Sequence, residues 1–308
     1  SKHMKAGKPV TYALVGGDQV ESTIASLKTT SIPLFNEVQQ AVSCIGAYNQ
    51  YYKYLDQISL ASEEYEINTD AINRIIDNAL KNNRSFLLAN EGAAVMEAAD
   101  IRIPLSKIAR NINEAVQFAE EIGYPVVMKV VSKDILHKSD VGGVILNLEN
   151  RKEVINAYEA IVHKCKAYNP NAVIEGIEVC EMVKKGTELI IGARRDPSFG
   201  PVIMCGLGGI YVEVMKDVSF RTMPMNRGIA LSMLEDIRSY PLLLGARGEE
   251  KKDIDSVIDT IIKISSIIKK CDRITDIEIN PVVVYTDKSG LKAVDARILI
   301  AKPKEENR

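Results

Sequence analysis

The chain has 308 residues, of which 46% are hydrophobic and 26% charged, with a formal net charge of −2. That is enough chain for two or three domains with sizeable cores, and the balanced charge argues against a nucleic-acid or membrane-surface partner. The five cysteines (Cys44, Cys165, Cys180, Cys205, Cys271) lack any C-x-x-C spacing, no apolar run nears the ~18 residues that span a bilayer, and signal-peptide anatomy is missing, so the expectation is a cytoplasmic protein with reduced thiols.

The opening "SKHM" reads as a tag or cleavage scar and carries no fold information. Thr11–Val15 forms a β-rich run stopped by Gly16-Gly17, and Asp18 can cap a helix. Ile32–Phe35 reads as a second strand, after which Ala41, Val42, Ile45 and Tyr48 fall at helical spacing. Two strands do not hold a sheet alone, so residues 1–55 are expected to pack on another domain or chain. Residues 56–67 are polar and acidic and read as a linker. A helix then follows, with Thr69 as its cap and Ile72, Ile75, Ile76 and Leu80 inward, and another begins near Glu91. "IRIP" reads as a short strand, and Asn113 as the cap of a helix that Gly123-Tyr124-Pro125 stops.

The strand "VVMKVVS" leads into a loop holding His137, and "GGVILNL" leads out of it to a helix over Lys152–Lys166. Four β-rich runs follow in quick succession, split by turns such as Lys185-Gly186-Thr187, which predicts a largely antiparallel sheet. Two more helices, the second over Asp253–Lys269, precede a closing hairpin, "RITDIEINPVVVY" and "LKAVDARILIA", around Thr286–Gly290.

Side chains two apart in a strand share a face, so Glu278 and Asn280 point one way, as do Asp295 and Arg297. The turn length sets Asn280 opposite Asp295 and Glu278 opposite Arg297, within about one residue. Such neighbours are ~5 Å apart, and two oxygen ligands at that distance suit Mg²⁺. A solvated strand face with an ordinary salt bridge is the bland alternative. Lys129, mid-strand among apolar neighbours, must snorkel or meet an anion. Gly142 and Gly143 offer backbone N–H groups to a phosphate. Glu181, Met182 and Val183 have the form of a strand edge that reads an adenine through backbone groups and one carboxylate, or of a plain strand. His137 is either a polar loop residue or a nucleophile for phosphoryl transfer.

These pieces together resemble the ATP-grasp portion of the ADP-forming (NDP-forming) acyl-CoA synthetases, in the succinyl-CoA synthetase superfamily. The likeness runs from about Asn68 to Ala301 and rests on the histidine loop and the E-I-N-P hairpin occurring together. It implies an α/β chain with an ATP-grasp fold of two α+β subdomains (68–170 and 171–308), preceded by the C-terminal part of a flavodoxin-like CoA-ligase domain. It implies ATP/ADP and Mg²⁺ as cofactors, and interconversion of acyl-CoA, ADP and phosphate with acid, CoA and ATP. His137 would shuttle the phosphoryl group, with Glu278 as the carboxylate near the docked histidine. Lys129, Gly142, Gly143, Glu188 and Glu181–Val183 would hold nucleotide, and Asn280, Asp295 and Glu213 the metal. The family often has Asp where Glu278 stands.

The CoA-binding part and the family's first phosphohistidine are absent from this sequence. The chain is therefore expected to work as a piece or subunit of an oligomeric assembly, meeting CoA and the acid through those missing parts. Two other readings remain: a catalytically silent regulatory region of a protein acetyltransferase-like protein, and another ATP-grasp carboxylate ligase.

Overall fold

A computed structural model of the chain describes residues 8–27, 33–59, 61–135, 138–209 and 215–301. The chain divides into two compact units, Ser1–Ser62 and Glu63–Arg308.

In the first unit β1 (Tyr12–Ala13) pairs in parallel with β2 (Leu34–Phe35), with Tyr12 opposite Leu34. Helices α1 (Asp18–Leu27) and α2 (Val38–Ser59) complete it. Here, among the described residues, only Ile24 and Ala41 are buried hydrophobics, while Val38, Val42, Tyr48, Tyr52 and Leu55 of α2 are exposed. The unit thus leaves most of one amphipathic helix unburied. Because α2 runs to Ser59, the expected linker start at residue 56 lies inside helix.

The second unit has two antiparallel sheets. The smaller has the order β3 (Ser106–Ala109), β6 (Gly176–Glu181), β4 (Val126–Val131), β5 (Val144–Leu148). Val126, Met128 and Val130 alternate onto one face and are fully buried with α5 (Ile112–Ile122) and α6 (Arg151–Tyr168), through Ala115, Ala119, Val154 and Ile161. The opposite face carries Val127, Lys129, Glu178 and Cys180.

The larger sheet has the order β11 (Leu291–Ala293), β10 (Ile274–Val284), β7 (Thr187–Asp196), β8 (Gly200–Leu207), β9 (Val218–Thr222), and β12 (Ala296–Ile300) also pairs with β10. Leu189, Ile191, Ala193, Ile277 and Ile279 point to one core with α3 (Thr69–Lys81), α4 (Ala89–Ala98), α7 (Arg227–Asp236) and α9 (Ile254–Lys270), the short α8 (Tyr240–Leu243) lying between the last two in the chain. A run rich in isoleucine on α9 buries nearly its whole circumference, which a surface helix could not do.

Several boundaries differ from expectation for local reasons. Asn68, not Thr69, caps α3, accepting from Ala71 N–H at 3.0 Å. Asn111, not Asn113, caps α5, accepting from Glu114 N–H while Glu114 accepts from Asn111 Nδ2 and Arg110 N–H. "IRIP" is not a strand: Pro104 has no N–H to donate, and the segment is tied to β11 by Ala293 N–H donating to Arg102 C=O. The chain pairs instead at β3. The expected division at residues 170/171 falls before β6, yet β6 is hydrogen-bonded between β3 and β4 and carries the smaller layer to Glu181. The helices at 69–98 pack with the larger sheet, because their apolar faces meet Ile277 and Ile298 rather than the smaller core.

Candidate active site

The strand alternation that buries Val126, Met128 and Val130 turns Val127 and Lys129 to the other face, toward the larger sheet. A cavity of about 980 Å³ lies between the layers. It is lined by Lys129, Glu181, Met182, Val183, Glu188, Asn280 and Asp295, all expected from the sequence at a common site. Lys138, Ser139 and Asp140, next to His137, line it too. His137 and Glu213 themselves lie outside the described residues.

Lys129 is half-buried and stands opposite Glu178 in the register of β4 and β6. Its ammonium makes no hydrogen bond or ion pair among the described residues. Beside it, burial and the Glu178 carboxylate push the Cys180 thiol up to about 12, favouring the protonated form.

The glycine pair plays a different part from the one expected. Gly142 N–H donates to Ser139 C=O at 3.1 Å and Gly143 N–H to Lys138 C=O at 2.7 Å. Both donors are spent closing the turn, so neither is free to cradle a phosphate, and neither glycine lines the cavity. Gly143 is buried, and a Cβ there would meet Val130 Cγ1 at 2.7 Å and Lys138 O at 2.9 Å. The pair shapes the base of the histidine loop.

The hinge between layers also departs from expectation. Glu181 forms a salt bridge with Lys292, and its other oxygen accepts from Leu105 N–H at 3.3 Å. Both oxygens of the carboxylate are therefore engaged within the chain. Met182 N–H donates to Pro125 C=O at 3.2 Å, whereas Val183 N–H has no partner among the described residues. A planar ring against this hinge would be read by main-chain groups.

The hairpin has the expected register, with Glu278 opposite Arg297. On its other side β10 slips register against β7 between Ile279 and Val282, while across the hairpin Asn280 N–H donates to Asp295 C=O at 3.1 Å and Val294 N–H to Pro281 C=O at 3.0 Å. Asn280 and Asp295 are thus neighbours at the cavity wall. Asn280 Oδ1 accepts from Gly209 N–H at 2.9 Å and keeps a second lone pair. Asp295 is exposed and its carboxylate has no partner among the described residues.

Glu278 lies two residues along β10, roughly 7 Å from Asn280 at strand spacing, and outside the cavity. Gly192 faces it across the ladder, so no side chain covers it from that strand. Glu188 is exposed, and its carboxylate sits where a Cβ on Gly209 would fall, 2.1 Å away.

Sequence reading missed Gly209, Glu178 and Lys292. The first two had signals: the Gly208-Gly209 pair before a β run, and the two-residue spacing of Glu178 and Cys180 on the Lys129 side of the sheet. Lys292 had none, since its partner is 111 residues away.

The family model for the ATP-grasp domain matches residues 78–300. The chain belongs to the ATP-grasp family of ADP-forming acyl-CoA ligases. It is 44% identical over 226 residues to the beta subunit of acetate–CoA ligase (ADP-forming) I from Pyrococcus furiosus, covering 73% of this chain and 96% of that subunit. It is 38% identical over 294 residues to 4-hydroxybutyrate–CoA ligase (ADP-forming) from Nitrosopumilus maritimus, covering 96% of this chain. This chain spans 42% of that ligase's length.

Among solved structures, it matches the dinucleotide-forming acetyl-coenzyme A synthetase 1 of Ca. Korarchaeum cryptofilum with a TM-score of 0.67 and 39% identity, over 75% of this chain and all of that one. That structure contains coenzyme A and Mg-AMPPCP, with a phosphohistidine segment pointing towards the nucleotide site. No described helix in this ATP-grasp chain is long and apolar enough to cross a membrane.

Proposed function

We propose that this chain is the nucleotide-handling part of an ADP-forming acyl-CoA synthetase, moving a phosphoryl group between His137 and ADP. The observation that carries the reading is the shared cavity: Lys129, the hinge, the Asn280–Asp295 pair and the residues flanking His137 all line one cleft. The base would lie against the hinge at Val183, with Val127 and Met182 on its faces, and Lys129 would meet the phosphates as a point charge.

Asn280 and Asp295 fit a hard cation, being oxygen donors of which one carries an unpartnered charge. Among the described residues no group of three or more His, Cys, Asp or Glu could hold a metal ion. A two-oxygen site leaves the rest of the shell to phosphate and water, the habit of Mg²⁺. Bound there, the cation would offset charge on the transferring phosphate. His137 would attack the γ-phosphorus of ATP through a ring nitrogen; the bond to the ADP oxygen breaks as the P–N bond forms. The reverse step makes ATP. Glu278, half-buried on the sheet face and flanked on the β7 side only by Gly192, would accept the other ring N–H of the docked histidine and hold its tautomer.

Residues 1–55 would be the C-terminal part of a flavodoxin-like CoA-ligase domain, and the exposed apolar face of α2 supports a neighbour there. The CoA- and acid-binding parts would be supplied by that larger assembly, as adjoining domains or as a separate subunit. Incubation with γ-labelled ATP and Mg²⁺ tests the reading. Acid-labile, base-stable label, lost in His137→Asn while nucleotide binding persists, is the expected result. Equal labelling in the variant would overturn it.

A further inference from the structure

A second cavity, of about 880 Å³, adjoins the cleft at the hinge. It shares Ile103 and Glu181–Lys185 with the cleft but none of Lys129, Asn280 or Asp295. Its floor is apolar: Ile101, Leu105, Ile122 and Pro125 contribute, with Leu105 62% exposed to solvent. Its polar lining is cationic in effect. Asp100 is already paired with Lys263 at 2.8 Å, and Glu181 with Lys292. Lys184 and Lys185 have no side-chain hydrogen bond or ion pair among the described residues, and Arg102 makes none either but lies within electrostatic reach of Asp100 and Asp253, against one unpaired carboxylate, Glu97.

Large apolar cavities with a few convergent polar groups are the usual form of small-molecule sites. Two unpaired lysines and the arginine over an apolar floor select an anion with an apolar body, since the floor offers nothing to a fully hydrated ion. We propose that this groove binds a small organic anion, an aliphatic or aromatic body carrying a carboxylate or sulfonate. Such a ligand sits against Lys292 and competes with Glu181 for it. Occupancy would therefore act on the hinge that the cleft shares, without contact to Lys129, Asn280 or Asp295.

The test is titration with 1-anilinonaphthalene-8-sulfonate, followed by its fluorescence, with and without saturating Mg²⁺ and a non-hydrolysable ATP analogue. One saturable site is expected, retained when the analogue is present. Leu105→Glu and Arg102→Glu, checked for native circular dichroism, should each weaken it about tenfold by placing negative charge beside the anion. Leu105 is exposed and donates only backbone bonds, so its variant tests the groove even if the Arg102 variant folds poorly. Loss of the signal on adding the analogue would place the dye in the cleft and overturn the proposal. Absence of a saturable site, or insensitivity to both substitutions, would overturn it as well.

Discussion

Lys292, on the edge strand of the larger sheet, forms a salt bridge with Glu181 at the end of the smaller sheet's central strand β6. Both side chains are mostly shielded, 24% and 29% exposed, so the pair is less screened than a surface bridge. The bridge ties the two layers where the chain passes between them, and it fixes the main chain that would read a base. Lys292→Met is expected to raise the dissociation constant for a non-hydrolysable Mg-ATP analogue about three- to tenfold, by calorimetry. Lys292→Arg, which keeps the charge, should recover most of the loss. Unchanged affinity in the methionine variant would show the bridge to be incidental to the cleft.

The cation pair gives a second expectation. Asp295→Asn keeps the shape and removes the charge, so the Mg²⁺ concentration for half-maximal labelling should rise at least about tenfold. Gly208→Ala should act in the same direction without touching either ligand. A Cβ at Gly208 would come within 2.4 Å of the Leu189 backbone, displacing the turn whose next residue donates to Asn280 Oδ1. A Mg²⁺ requirement unaltered in both variants would remove the metal from this pair.

What the sequence disclosed follows the range of the interactions. Lys129, Asn280 and Asp295 were legible because period-two alternation and a five-residue turn decide which side chains share a face. The register of Glu278 with Arg297 came from the same local rule. The acceptors of Gly142 and Gly143 were not legible, because two glycines look alike whether their N–H groups face a ligand or the chain's own carbonyls. The occupation of the Glu181 carboxylate depended on a lysine in the other layer. The 170/171 division failed to anticipate that β6, reached after the long helix α6, returns between β3 and β4, since nothing in a β-rich run names its sheet.

Acid stability should follow two anchoring carboxylates. Burial opposes ionisation of Asp217, but hydrogen bonds from the Arg238 and Ser239 N–H groups outweigh it and hold the carboxyl below its usual range. Asp253 is likewise burdened by burial yet lowered by N–H donors from Ser256 and Gly290. A depressed folded pKa stabilises above the unfolded value, about 3.9, and that contribution is lost as pH falls through the folded value. The urea midpoint should thus be insensitive to these groups from about pH 5 to 7 and drop below about pH 4. Asp217→Asn and Asp253→Asn should lower the neutral plateau, the latter by about 1 kcal/mol because one amide oxygen cannot accept from both Ser256 and Gly290 N–H, and flatten the acid limb. An acid limb equally steep in both variants would assign the loss to other groups.

The glycine pair separates loop geometry from nucleotide binding. Gly142 has φ +70°, and an added Cβ would meet the Lys164 side chain, whose far end can move. Gly142→Ala should therefore cost about 1–2 kcal/mol of left-handed strain, with the loop otherwise kept. Gly143 has no such freedom: its Cβ would run into Val130, the Lys138 carbonyl and, at 3.4 Å, Cys165 Sγ. Relief requires moving the Lys138 carbonyl, one residue from His137, and lengthening the 2.7 Å bond that closes the turn. Gly143→Ala is expected to slow labelling of His137 about tenfold or more while analogue affinity changes little, because misplacing the nucleophile by a fraction of an ångström is costly. Single-turnover labelling beside calorimetry distinguishes the cases: a parallel loss of affinity and rate would mean that the glycine supports the cleft as a whole, not the delivery of the histidine.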